Sequence, residues 1–177
     1  MINIVLYEPE IPANTGNIMR TCMAFHVRLH LIEPLGFSLD EKHLRRAGMD
    51  YRNQIEMHIY KDWNTFKEGR EGSFYYVTRY GFKTPDAFDY RKDYEDGKDI
   101  YLVFGKESTG IDKEILYQNE DRCIRIPMVK EARSLNLSNC AALCVYEVLR
   151  QLGYPDLSNE EVIKGAHFLD EVHNNRQ

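Results

Sequence analysis

Tyr101-Leu-Val-Phe-Gly-Lys-Glu-Ser-Thr-Gly-Ile111 sets a short apolar, β-favouring run directly against a polar loop bounded by two glycines. Outward from it, Ile2–Tyr7, Arg28–Ile32, Ile55–Tyr60, Phe74–Thr78 and Cys123–Ile126 read as strands too, with helical stretches between most of them. This rhythm predicts an α/β domain with a mainly parallel sheet flanked by helices. Asn14 or Thr15 is expected to cap a helix through Phe25, Asp40 one through Arg46, Asp62 one near Phe66 and Asp112 one through Asn119.

From Ser138 to Leu152 the chain is apolar on nearly every side, which predicts a helix buried all round, in the core or at an interface. Gly153, Tyr154 and Pro155 stop it. Ser158 with Glu161 has the spacing of a capping box for a last amphipathic helix whose apolar positions are Val162, Ile163, Ala166, Phe168 and Leu169. Tyr80 to Lys98, rich in charge, tyrosine and turn residues, reads as a connecting loop. The whole chain, 1–177, reads as a single domain with a frayed tail over 171–177.

With 177 residues, 43% of them hydrophobic, the chain can bury one substantial core but not two. The acidic start Met1–Glu10 lacks the basic, apolar form of a secretory signal, and no stretch approaches the roughly 20 apolar residues of a membrane span. Cys22, Cys123, Cys140 and Cys144 form no CxxC pair, and the six histidines offer no HExxH or zinc-finger spacing. A reducing cytoplasm and no metal are therefore expected. A net charge of −5 argues against a protein that coats nucleic acid, so any RNA contact falls to local basic patches. Two such patches are Lys42, Arg45, Arg46 and Arg52 against Asp50, and Arg122, Arg125, Lys130 and Arg133 against Asp121 and Glu131.

Nucleotide-like cofactors bind at the carboxyl ends of parallel strands, where three loops stand out: Glu8–Arg20, Phe104–Ile111 and Ile126–Asn139. Gly105 and Gly110 have the separation of a phosphate-binding P-loop, but Ile111 stands where that motif requires Lys. The chain contains no G-x-G, which removes the dinucleotide fingerprint. Taken singly, each loop has a structural explanation: Pro9 and Pro12 punctuate turns, Gly105 and Gly110 permit a tight turn, and Ser134 to Asn139 supply capping groups.

Their joint order resembles the signature motifs of the SPOUT methyltransferases, and in particular the small single-domain family that methylates the wobble nucleotide of certain tRNAs. The matching pieces are Pro12-Ala-Asn-Thr-Gly-Asn-Ile-Met-Arg20, Leu102-Val-Phe-Gly-Lys-Glu-Ser-Thr-Gly110, Ile126-Pro-Met128 and Arg133-Ser-Leu-Asn-Leu-Ser-Asn139. Leu44-Arg-Arg-Ala-Gly-Met-Asp-Tyr51 also looks like that subfamily. Lys106 departs from it, since many relatives carry Pro there.

The resemblance implies a deep C-terminal trefoil knot, a homodimer and S-adenosyl-L-methionine as methyl donor. It also implies 2′-O-methylation of cytidine or modified uridine in tRNA-Leu-type substrates. The alternatives are another RNA such as rRNA, or a non-catalytic RNA-binding module. By motif position, Val77, Thr78, Gly105, Ile126, Met128, Ser134 and Leu135 would hold the cofactor, while Asn14, Arg45 and Arg46 would meet substrate. Arg20 would lie closest to the attacking hydroxyl. Because a guanidinium stays protonated, its expected task is to orient a phosphate or stabilise the developing alkoxide. Glu107, Ser134 and Asn136 are the other candidate catalytic groups, with Glu107 the one carboxylate able to accept a proton.

Overall fold

A computed structural model describes residues 1–38 and 55–174. Its strands are β1 (Ile2–Tyr7), β2 (Arg28–Ile32), β3 (Met57–Tyr60), β4 (Ser73–Val77), β5 (Ile100–Phe104) and β6 (Cys123–Ile124), in the sheet order β3-β2-β1-β5-β4-β6. Every pairing is parallel, with Ile4 of β1 opposite both Leu29 and Leu102, and Val77 of β4 opposite Ile124. The helices are α1 (Pro12–Phe25), α2 (Trp63–Lys67), α3 (Tyr90–Glu95), α4 (Lys113–Tyr117), α5 (Leu137–Leu152) and α6 (Phe168–Asn174). The helix expected from Asp40 to Arg46 and the Leu44–Tyr51 segment lie outside the described residues.

Strand alternation divides the core into two layers. Ile2, Ile4, Leu6, Leu29, Leu31, Leu102 and Phe104 pack against Ile18 and Met19 of α1 and Ala141, Val145 and Val148 of α5. On the opposite face Val5, Ile32, Tyr101 and Val103 pack with Phe66 of α2 and Leu116 of α4. Cys22, Cys123 and Cys144 are buried, and burial pushes the Cys22 and Cys144 thiols up to about 12, as expected of inert packing groups.

Three local expectations, on the start of α1, on Ser158 and on Tyr80–Lys98, need correction. Asn14 and Thr15 lie inside α1, which begins with Pro12 at its first turn and has at its N-cap Ile11, a residue with no capping side chain. Of the two places expected for α5, core or interface, the single chain leaves the second open: its inner face is buried, while its outward stripe of Asn139, Leu143, Tyr146 and Arg150 is exposed, Leu143 by 51% and Tyr146 by 52%. No helix starts at Ser158, because the Ser158 hydroxyl and the Glu161 carboxylate bond the backbone within two or three residues, a turn that competes with a cap, so α6 covers Phe168–Asn174 alone. The expected Tyr80–Lys98 loop contains a 3₁₀ turn, Pro85–Ala87, and then α3, because Asp89 caps that helix at the Lys92 amide and Phe88 and Tyr90 enter the core. Asp62 and Asp112 do cap α2 and α4.

His30 is a buried polar group in the second layer. Its Nε2 lies 3.1 Å from Asn3 Oδ1 and its Nδ1 3.1 Å from the Tyr60 hydroxyl, so the network assigns an Nε2–H that donates to Asn3 and an Nδ1 that accepts from Tyr60. Burial, followed by the nearby Arg70, His58 and Arg28, lowers its pKa from 6.5 to about 3. A folded-state value below the unfolded one means that the unfolded chain binds the proton first. Stability is therefore complete above pH 6.5 and declines as pH falls toward 3. Chemical denaturation should show a loss of about 2 kcal/mol from this group between pH 6.5 and about pH 4.5. His30→Gln, which cannot titrate, should flatten that slope; an unchanged slope would place the sensitivity elsewhere.

Candidate active site

The strand order reverses direction between β1 and β5, so the loops that leave β1, β5, β4 and β6 at their carboxyl ends converge on one crevice. There they enclose a cavity of about 790 Å³. Val77, Thr78, Gly105, Ile126, Met128, Ser134 and Leu135 all line it, as do Asn14, Glu107 and Asn136. Apolar wall is supplied by Val77, Phe104, Ile126, Leu135 and Cys140, and polar groups by Thr78, Ser134 and Asn136.

A chain of hydrogen bonds ties the three motif loops together. Asn14 lies in the first turn of α1, 5% exposed; its amide nitrogen donates to Glu107 Oε1 at 2.8 Å, and its carbonyl oxygen accepts from Asn136 Nδ2 at 2.9 Å. Asn136 then caps α5, its Oδ1 accepting from the Ser138 amide at 2.9 Å and the Ser138 hydroxyl at 2.6 Å. Glu107 also accepts from the backbone amides of Glu10 at 2.9 Å and Ile11 at 3.3 Å. A carboxylate from the loop after β5 thus holds the two amides that lead into α1 and the Asn14 side chain in its first turn, close to the positive end of the helix.

Two more carboxylates clamp the same loops in the other direction. Glu10 accepts from the Ser108 amide and hydroxyl at 2.9 and 2.8 Å, and these bonds hold its pKa below the usual carboxylate range. Lys106 pairs with Glu8 at 2.6 Å, which raises the ammonium pKa. Lys106 is thus an anchor between the two loops. Gly105 is required by space: a Cβ there would lie 2.1 Å from the Ile111 nitrogen and 2.2 Å from the Gly110 carbonyl carbon. Gly110, at φ +76, closes the loop with its amide on the Lys106 carbonyl at 2.9 Å.

Arg20 is exposed on α1 and is not among the lining residues; six residues beyond Asn14, it stands roughly 9 Å farther along the helix axis. Arg45 and Arg46 lie outside the described residues. Of the second basic patch, Arg125 lines the cavity, with its guanidinium on the Arg79 carbonyl, while Arg122 bonds the Tyr75 hydroxyl at 3.2 Å and Lys130 and Arg133 are exposed. Sequence reasoning missed Arg79, Tyr80 and Lys113, which also line the cavity. The signal for the first two was the position of Thr78-Arg-Tyr-Gly-Phe-Lys83 at the carboxyl end of β4; Lys113 stands two residues beyond the Phe104–Ile111 loop. Among the described residues no three His, Cys, Asp or Glu side chains converge as metal ligands, and no helix is long and apolar enough to cross a membrane.

The SpoU rRNA Methylase family model matches residues 1–146. An Escherichia coli relative named tRNA (cytidine(34)-2′-O)-methyltransferase is 46% identical over 157 residues, covering 88% of this chain and 96% of its own. A Geobacillus stearothermophilus protein carries the same name provisionally and is 50% identical over 158 residues, 89% of this chain and 99% of its own. A solved structure described as giving insights into the 2-OH methylation of C/U34 on tRNA superposes with a TM-score of 0.77 at 36% identity, covering 86% of this chain and 97% of the other. With the family model matching most of its length and near half of its residues shared with relatives over almost all of theirs, the chain belongs to the SpoU methylase family, among the tRNA (cytidine(34)-2′-O)-methyltransferases.

Proposed function

We propose that this protein transfers a methyl group from S-adenosylmethionine to the ribose 2′-hydroxyl of the wobble nucleotide, cytidine or modified uridine, of tRNA. The observation that carries the reading is the Glu107–Asn14–Asn136 relay, which fixes all three motif loops around one cavity. The residues present fit the cofactor. A cavity of about 790 Å³ suits a nucleoside-sized ligand, its apolar wall suits a base, and Gly105 leaves room for backbone approach where a side chain could not stand. When bound, the cofactor supplies a sulfonium-activated methyl, which moves to the ribose oxygen as the bonding pair returns to sulfur and the hydroxyl proton is released.

Within this reading Val77, Thr78, Gly105, Ile126, Met128 and Leu135 hold the cofactor, and Ser134 and Asn136 fix the loop above it. The chain's contribution is alignment. Arg20, outside the cavity, acts on the RNA, orienting a phosphate or stabilising the developing alkoxide. Glu107, already accepting three hydrogen bonds, is a positioning residue; the proton passes to solvent. Arg45 and Arg46 are assigned to substrate binding by their charge and motif alone.

Residues 125–136 leave β6 at the sheet edge and return to Asn14, α1 and β5 at its centre, a course that supports a deep trefoil knot closed by α5. Leu143 and Tyr146, half-exposed on α5, supply an apolar surface for a second copy, and a homodimer in the cytoplasm is the proposed working form. The test is incubation with methyl-labelled cofactor and undermodified tRNA. Label should appear in 2′-O-methylcytidine or 2′-O-methyluridine and be lost with Arg20→Ala, whereas transfer to ribosomal RNA alone would reject the tRNA assignment.

A further inference from the structure

The segment Thr78-Arg-Tyr-Gly-Phe-Lys83 leaves β4 and is fastened along β6. The Thr78 amide donates to the Ile124 carbonyl at 2.9 Å, the Arg125 amide donates to the Lys83 carbonyl at 2.8 Å, and Lys83 and Ile124 form a parallel bridge. Between these ties the backbones touch: a Cβ on Gly81 would lie 2.8 Å from the Cys123 oxygen. The two aromatic residues beside this glycine are nonetheless turned to solvent, Phe82 by 87% and Tyr80 by 55%. A backbone held at both ends thus presents two large rings that the core does not use.

Cations lie beside Tyr80. Lys113 Nζ lies 5.0 Å and the Arg79 guanidinium 5.9 Å from the centre of the Tyr80 ring, and Lys83 and Arg125 flank the segment. Three of these cations also hold backbone, Lys113 Nζ donating to the Thr109 and Ile111 carbonyls, Lys83 Nζ to the Asp121 carbonyl and Arg125 to the Arg79 carbonyl; these acceptors are neutral and leave the positive charges in place, and Glu107 is the carboxylate on the cavity lining. Tyr80, Arg79, Lys113 and Arg125 also line the cavity, so the patch is continuous with the candidate active site. A cofactor that bears a sulfonium does not call for four cations beside it, but a polyanionic strand does. Exposed rings take bases by stacking and the cations take the phosphates between them.

We propose that Tyr80 and Phe82 form a stacking platform for unpaired bases flanking the methylated nucleotide, with Arg79, Lys83, Lys113 and Arg125 on the adjoining phosphates. This rests on the reading of the protein as an RNA methyltransferase. It assigns substrate grip to the loop after β4, a segment that carries none of the catalytic candidates.

The test titrates the full-length protein against a fluorescent anticodon stem-loop, beside calorimetry with S-adenosylmethionine and sedimentation of each variant. Phe82→Ala should weaken RNA binding about 5- to 150-fold, the range of one lost stacking contact, with cofactor affinity unchanged; Phe82→Trp should restore it and Phe82→Leu should not. Lys83→Ala should lower the salt slope of binding by about 1. Equal RNA affinity and equal KM in Phe82→Ala and wild type would overturn the platform while leaving the methyltransferase reading intact. Loss of RNA affinity that tracks dissociation of the dimer would overturn it in favour of a subunit contact, and failure of the wild type to bind any RNA would overturn both readings.

Discussion

Gly105→Ala is expected to weaken S-adenosylmethionine binding by at least about 100-fold, equivalent to about 2.7 kcal/mol. The added methyl would fall 2.1 Å from the Ile111 nitrogen and 2.2 Å from the Gly110 carbonyl carbon, both of them backbone atoms that no side-chain rotation can move aside. The loop can accept it only by opening, and opening breaks the Gly110-to-Lys106 hydrogen bond that closes the turn. The three carboxylate clamps hang on the same few residues, through Lys106, Glu107 and Ser108, so the damage passes to the start of α1. Calorimetric titration of cofactor into the folded variant measures it. Affinity within a few-fold of wild type would mean that the loop yields where the packing says it cannot.

The second large effect concerns Glu107. Removing a carboxylate that accepts from two amides at a helix start and from buried Asn14 strands all three donors. Glu107→Ala should therefore destabilise the fold by roughly 2–4 kcal/mol, since hydrogen bonds to charged groups contribute about 1.5–3 kcal/mol each and the exposed donors recover water. For a chain of this length that is a fall of about 5–12 °C in Tm. Glu107→Gln is the more informative variant. Both carboxylate oxygens face donors, so an amide must turn its own N–H toward one of them, and part of the destabilisation should persist. A proton acceptor would behave in the opposite way: the Gln variant would melt like wild type and lose kcat alone. Melting curves with single-turnover rates on the same preparations separate the two.

This division between local and distant contacts also explains what the sequence made legible. Each of the six strands begins or ends within two residues of its apolar run, because a strand in a parallel sheet must be apolar along its length and its neighbours were equally plain. The cavity residues were legible for a related reason: loops at the carboxyl ends of adjacent parallel strands have to meet. The start of α1 was not. Asn14 has the chemistry of a cap, and nothing near it in the sequence says that its side chain instead donates to Glu107, 93 residues away. Asn14 thereby joins two loops, a role with no local signature.

Small and apolar residues on all sides of α5 do not by themselves distinguish a core from a surface that meets a partner, and Leu143 and Tyr146 are open in the single chain. The loop after β4 was passed over because charge and tyrosine imply solvent, as Phe82 and Tyr80 indeed show, while the backbone bonds that hold the segment to β6 are invisible to composition. Arg20 was named through the family resemblance and lies away from the cavity lining, so its part in the reaction is a matter for the RNA-bound state.

The most direct test of the central claim uses two synthetic anticodon stem-loops that differ by one oxygen, with cytidine or 2′-deoxycytidine at the wobble position. Both would be incubated with the protein and methyl-labelled S-adenosylmethionine and read by nucleoside mass spectrometry. The account predicts stoichiometric 2′-O-methylcytidine from the first and no label in the second. Equal labelling of both, or label on the base, would contradict it.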